Sequence, residues 1–158
     1  RHTRCGRDWS SDVCSSDLGN APDSLCCDVV EGRGWDDQPQ FFFFNTINSY
    51  RNVMNSYSDD KDLWITEFGW SSWQDLSGSP PEEWMQYISV EEQGEYLFTA
   101  IDIAQQLDSL GPMFIWNANF ADNESVARSD EMAGYSLLYR DASGNYSRRI
   151  GFSVLLNR

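Results

Sequence analysis

At 158 residues, 41% hydrophobic and 15% aromatic, the chain has single-domain length and enough apolar content for a packed core. A formal net charge of −14 and a pI near 4.2 argue against nucleic acid and anionic membranes as partners, since both would be repelled. No apolar run approaches the roughly 18 residues of a membrane-spanning helix, and the densest, Phe41 to Phe44, is far too short.

The first segment in chain order stands apart. Residues 8–18, DWSSDVCSSDL, resemble the translation of a common short-read sequencing adapter and have no apolar periodicity. Residues 1–18 are therefore expected to be an adapter artefact outside the fold, leaving 19–158 as the structural domain. Residues 19–158 contain no histidine. That removes Ser-His-Asp and Cys-His nucleophile pairs and every histidine-ligated metal site, so no metal or cofactor is expected. Of the four cysteines only Cys26 and Cys27 remain, and neighbours in sequence are expected to be free rather than bridged.

Residues 19–38, rich in Gly, Asp and Pro, read as loop; Gly32-Arg33-Gly34 precedes no periodic helix and is a weak phosphate-loop signal. Residues 39–57 read as a helix, with Phe41, Phe44, Ile47, Tyr50, Val53, Met54 and Tyr57 on one face. After a polar break, Leu63 to Phe68 has the form of a strand buried on both faces. Residues 69–88 make a long loop carrying Trp70, Trp73, Trp84 and Tyr87. Ser89-Val-Glu-Glu92 reads as a capping box opening a helix whose apolar face is Tyr96, Leu97, Ala100, Ile101, Ala104 and Leu107, ended by Gly111-Pro112. Residues 113–116 form a second buried strand and 117–130 a polar loop. Residues 135–139 are expected to be a short strand and 147–156 a closing helix. Strands alternating with helices imply parallel βα units, with ligand-bearing loops at the strand C-termini.

One strand ends in a carboxylate, and charge is seldom placed there unless it is paired, solvated or functional. If the two strands are parallel neighbours, Glu67 and Trp116 lie within roughly 5–10 Å of each other. A carboxylate beside an indole suits a sugar: the ring stacks on pyranose C–H faces and a carboxylate near the anomeric carbon can act as nucleophile. Trp70, Asn117 and Asn119 are further candidates for sugar contact. Each has a plain structural role to weigh against this: packing for the tryptophans, backbone satisfaction for the asparagines. Trp73, Trp84 and Tyr87 are expected to pin the loop rather than touch sugar.

Trp64-Ile-Thr-Glu67-Phe-Gly-Trp70 resembles the strand-seven nucleophile motif of clan A, cellulase-like glycoside hydrolases, and Pro112-Met-Phe-Ile-Trp-Asn-Ala-Asn-Phe120 is similar to their strand eight. The resemblance covers about residues 39–158. It implies an α/β fold comprising the C-terminal three βα units of a (β/α)8 barrel, an oligo- or polysaccharide substrate, Glu67 as nucleophile and Trp116 as sugar platform. The family's acid/base, a glutamate after asparagine on strand four, has no counterpart in the right order; the only such pair is Asn123-Glu124. The fragment by itself is accordingly expected to be inactive. Two rival readings are a non-catalytic carbohydrate-binding protein using the aromatic loop and a nucleotide-binding α/β domain, the latter disfavoured by the absent glycine-rich phosphate loop.

Overall fold

The structure, a computed structural model, describes residues 12–15 (backbone only), 19–27 and 38–157. The remainder of 1–18 and the Gly32-Arg33-Gly34 stretch lie outside the described residues. Among the described residues the fold is mixed α/β with two three-stranded sheets, neither of which closes into a barrel.

The first sheet has strand order β1 (Asp12–Ser15), β2 (Leu63–Phe68), β3 (Leu110–Ile115), all parallel. β1 falls in the segment set aside from the sequence reading. β2 would otherwise present an unpaired edge of N–H and C=O groups, and an extended segment of almost any sequence can satisfy these. Helix α1 (Phe43–Ser56) precedes β2, and α2 (Val90–Gln105) makes the crossover from β2 to β3, as the alternating pattern implies.

Two details of α1 differ from expectation. The helix does not run through from residue 39, because Phe42 is extended (φ −114°, ψ 112°) and wholly buried. Of the expected face Ile47 and Met54 are buried, joined by Phe43 and Thr46, so the buried stripe is narrower than read and leaves Tyr50, Val53 and Tyr57 exposed. The capping box of α2 forms as read: the Glu92 N–H donates to Ser89 Oγ at 3.1 Å and the Ser89 N–H to the Glu92 carboxylate at 2.7 Å. Gly111 and Pro112, expected to end that helix, lie instead within β3.

The main core packs Phe43, Ile47 and Met54 of α1 and Leu97 and Ala100 of α2 onto Leu63, Ile65 and Phe68 of β2. β2 and β3 are thus covered chiefly on one face. Trp64 and Phe114, expected to be buried, are 48% and 51% exposed. Among the described residues, the helices that meet this sheet, α1 and α2, lie against the alternate residues, so the expectation of strands buried on both faces does not hold.

A second core gathers Trp73, Met85, Ala121, Val126, Ala133 and Tyr135, with Trp84 and Trp116 against it. It is framed by β4 (Ala121–Asp122), α3 (Asn123–Ala127), α4 (Glu131–Tyr135), β5 (Leu138–Arg140) and β6 (Tyr146–Arg148). β4 and β5 are parallel, β5 and β6 antiparallel. The β5–β6 hairpin was not expected. Its turn is built by Asp141, whose carboxylate accepts the N–H groups of Ser143 and Asn145, and by Gly144 at φ 83°. The closing helix, α5 (Ile150–Leu156), is correspondingly shorter than expected and packs on α2 at Gly94 and Gly151. Cys26 and Cys27 are bonded to each other, so they are not the free thiols expected.

Candidate functional site

β2 is the central strand of the parallel sheet, and its C-terminal end carries Glu67. Burial along β2 does not alternate strictly. Leu63, Ile65 and Phe68 are buried, whereas Thr66 and Glu67 are half-buried, and the β2–β3 register shifts between Ile65 and Phe68. The irregularity puts the Phe68 ring, rather than the Glu67 carboxylate, into the apolar core, where an ion would be strongly disfavoured.

Trp116 follows β3 directly. Its N–H donates to the Phe68 carbonyl at 2.8 Å, carrying the parallel pairing one step beyond the strand. Glu67 and Trp116 therefore flank a backbone hydrogen bond between neighbouring strand ends. The close approach depends on Gly69, since a Cβ there would overlap the Trp116 carbonyl oxygen. The Trp116–Asn117 peptide bond is cis. The Trp116 indole is half-buried against the second core, and its ring lies 5.6 Å from that of Phe120, tilted by 32°. Phe120 is 48% exposed, so the pair forms an aromatic shelf open to solvent.

The other candidates separate. Trp70 has no exposed surface; its Nε1 donates to the Asn20 carbonyl at 2.8 Å and its ring packs among Phe43, Phe68 and Tyr96. Of the two roles weighed for it, packing is what this geometry provides. Asn117 is likewise buried. Its Nδ2 donates to the Met132 carbonyl at 2.9 Å, and its Oδ1 accepts from Ser136 Oγ at 2.6 Å and the Phe120 N–H at 3.3 Å. These bonds make it a brace between β3 and α4. Asn119 is exposed in the loop beyond.

Two carboxylates after β3 are tied up locally. Asp122 caps α3 through the Ser125 N–H and pairs with Arg140 at 2.6 Å, which together hold its carboxyl well below the ordinary range, at about 2. Glu124 pairs with Arg128 at 2.5 Å on the surface.

Two polar residues that the sequence reading passed over hold the site's frame. Gln93 is fully buried on α2 and donates to the carbonyls of Trp70, at 2.7 Å, and Gly134, at 2.9 Å. Arg149 is 3% exposed; Nη1 donates to the carbonyls of Ala133, Gly134 and Ser136, and Nη2 to Ser72 at 2.7 Å and Asp75 at 2.5 Å. Together they fasten the loop leaving β2 to the segment 133–136, which also carries the brace to Asn117. Gln93 had a visible signal: it lies on the buried stripe of α2 with Leu97, Ala100 and Ala104, a position where an amide needs partners. Arg149 had none.

No grouping of three or more His, Cys, Asp or Glu side chains suited to a metal occurs among the described residues, and no helix among them is long and apolar enough to cross a membrane. Comparison with known proteins adds no family: no protein-family model, curated protein or solved structure matches this chain.

Proposed function

We propose that this chain is the nucleophile-bearing, C-terminal part of a (β/α)8 barrel from a retaining glycoside hydrolase. The observation that carries the reading is the juxtaposition of Glu67 and the Trp116–Phe120 shelf at the C-terminal ends of adjacent parallel strands. The uncovered sheet face supports it too. Trp64 and Phe114 lie where the interior of a closed barrel would receive side chains from the missing strands.

In the mechanism, a pyranose ring stacks on the aromatic shelf, presenting its anomeric carbon to the Glu67 carboxylate. Glu67 attacks that carbon and forms a glycosyl ester, while a carboxylic acid about 5–5.5 Å away protonates the leaving oxygen; water then hydrolyses the ester with retention. That acid belongs to sequence upstream of residue 19, so the activity belongs to the longer protein.

The test is made in the chain extended by the coding sequence recovered upstream of Gly19. Glu67→Gln keeps the side-chain shape and removes the nucleophilic charge. Turnover should fall by more than the ~10²–10⁴ typical of a lost general acid or base, with substrate binding retained. A 2-deoxy-2-fluoro glycoside should label Glu67 and no other carboxylate. Near-native turnover in Glu67→Gln, or a label on Asp122 or Glu124, rejects the assignment.

A further inference from the structure

The place of the Phe120 ring beside Trp116 depends on what holds the Phe120 backbone. From Asn117 onward the chain runs beside residues 135–140. The Leu137 N–H donates to the Asn117 carbonyl at 3.2 Å, the Leu138 N–H to the Ala118 carbonyl at 2.8 Å, and Ala121 pairs with Tyr139. Phe120 departs from this ladder. Its N–H goes to side chains, donating to Ser136 Oγ at 2.8 Å and more distantly to Asn117 Oδ1 at 3.3 Å.

Both acceptors are themselves fixed. Ser136 has no exposed surface and Asn117 is 3% exposed. A hydroxyl has one proton to give, and Ser136 Oγ lies 2.6 Å from Asn117 Oδ1, closer than the Met132 carbonyl at 3.3 Å. Asn117 Nδ2 donates to the Met132 carbonyl at 2.9 Å, and Arg149 Nη1 donates to the Ser136 carbonyl at 2.6 Å. Phe120 N–H, Ser136 hydroxyl and Asn117 amide thus form a chain in which each member orients the next. It ends on a residue whose own ring is 48% exposed and lies 5.6 Å from that of Trp116. Burying polar side chains carries a desolvation cost, and here the bond that Ser136 accepts serves the backbone of a surface aromatic.

We propose that Ser136, acting with Asn117, is a positioning residue for the sugar platform: by fixing the Phe120 backbone it holds the Phe120 ring beside the Trp116 indole, so that two rings rather than one meet the substrate. The proposal rests on the reading of the Trp116–Phe120 shelf as a carbohydrate platform. Ser136 does not touch sugar; it acts through Phe120. Without the hydroxyl, the Phe120 N–H keeps only its longer contact with Asn117 Oδ1, and that oxygen loses its own donor. The Phe120 ring then gains freedom that has to be given up again on binding.

The experiment uses the 158-residue chain labelled with heavy nitrogen. The Trp116 indole resonance is identified by its absence from Trp116→Phe, and cellotriose, xylotriose and maltotriose are titrated in turn. The unsubstituted chain should show a saturable shift of that resonance with at least one trisaccharide and a nuclear Overhauser contact between the two rings. Its Phe120 amide should exchange at least ~10²-fold slower than an unstructured amide. Ser136→Ala, studied well below its own melting temperature, should lose the ring contact and weaken binding several-fold. Phe120→Ala, at an exposed position, should weaken binding as much, and adding Ser136→Ala to it should weaken it no further, because both act on one contact. A role in stability alone would lower Tm in both backgrounds without that coupling. The proposal is overturned by binding and ring contact that survive Ser136→Ala, by an equal effect of Ser136→Ala in the Phe120→Ala background, by unaltered binding in Phe120→Ala, or by a freely exchanging Phe120 amide. Should Ser136→Ala not fold, the amide exchange and Phe120→Ala decide the matter. Absence of saturable binding by the unsubstituted chain instead rejects the platform reading, and this proposal with it.

Discussion

Arg149 shows how much of this fold hangs on one side chain. Its guanidinium sits between loop and helix segments from three parts of the chain, with Asp75 at 2.5 Å and four carbonyl oxygens around it. A planar, five-donor group suits this task, and an ammonium does not, because three donors on a point charge cannot reach all the partners at once. Arg149→Met should destabilise the chain by about 3–5 kcal/mol, since Asp75 and the carbonyls lose their counterpart. Arg149→Lys should recover only a minor part. Urea unfolding followed by tryptophan fluorescence measures both, and a loss under about 1 kcal/mol in Arg149→Met would show that the loop is held by its apolar contacts instead. Glu67 shows the backbone's part in such placement: the strand irregularity gives the core position to Phe68 and leaves Glu67 half-buried.

At the scale of elements, the contact between α2 and α5 is set by two glycines. A Cβ on Gly94 would overlap the Gly151 carbonyl oxygen and come within 2.8 Å of the Val154 Cβ, and a Cβ on Gly151 would come within 2.8 Å of the Val90 carbonyl oxygen. Replacing glycine by alanine inside a helix normally gains up to ~1 kcal/mol. Here Gly94→Ala should reverse that sign and cost about 1–3 kcal/mol through overpacking. A thermal melt decides the matter, since a raised Tm would mean the helices part without penalty. The same helix pair bears on the candidate site, because Gln93 and Arg149 sit at this crossing and reach from it to the loops behind Glu67 and Trp116.

For the whole molecule, the dominant feature is a sheet with helices on one face and Trp64 and Phe114 bare on the other. Exposed aromatics on a flat face invite association, and the net charge of −14 opposes it. Phe114→Thr should shift the sedimentation profile of the 158-residue chain toward monomer and reduce binding of a hydrophobic dye. Its stability should change by no more than about 0.5 kcal/mol, as at other exposed sites. Unaltered association would mean that copies meet through another surface.

Local signals fared well where local physics decides. The capping box at Ser89, the apolar stripe of α2, the parallel pairing of β2 with β3 and the packing role of Trp73 follow from spacing, side-chain chemistry and chain order alone. So does the adjacency of residues 67 and 116 at the strand ends, once the two strands are neighbours. Periodicity placed Ile47 and Met54 of α1 correctly but drew the buried stripe too wide, since among the described residues no packed element covers Tyr50, Val53 and Tyr57. It also missed the β5–β6 hairpin, whose three-residue strands are too short to show alternation. What only the tertiary structure decided is where polar groups find their partners. Trp70 and Asn117 look in sequence like wall and ligand of a sugar site, yet Asn20, Met132 and Ser136 take their hydrogen bonds, through residues 15 to 50 positions away. Such bonds join segments that the chain order does not bring together, and no one-dimensional pattern encodes them.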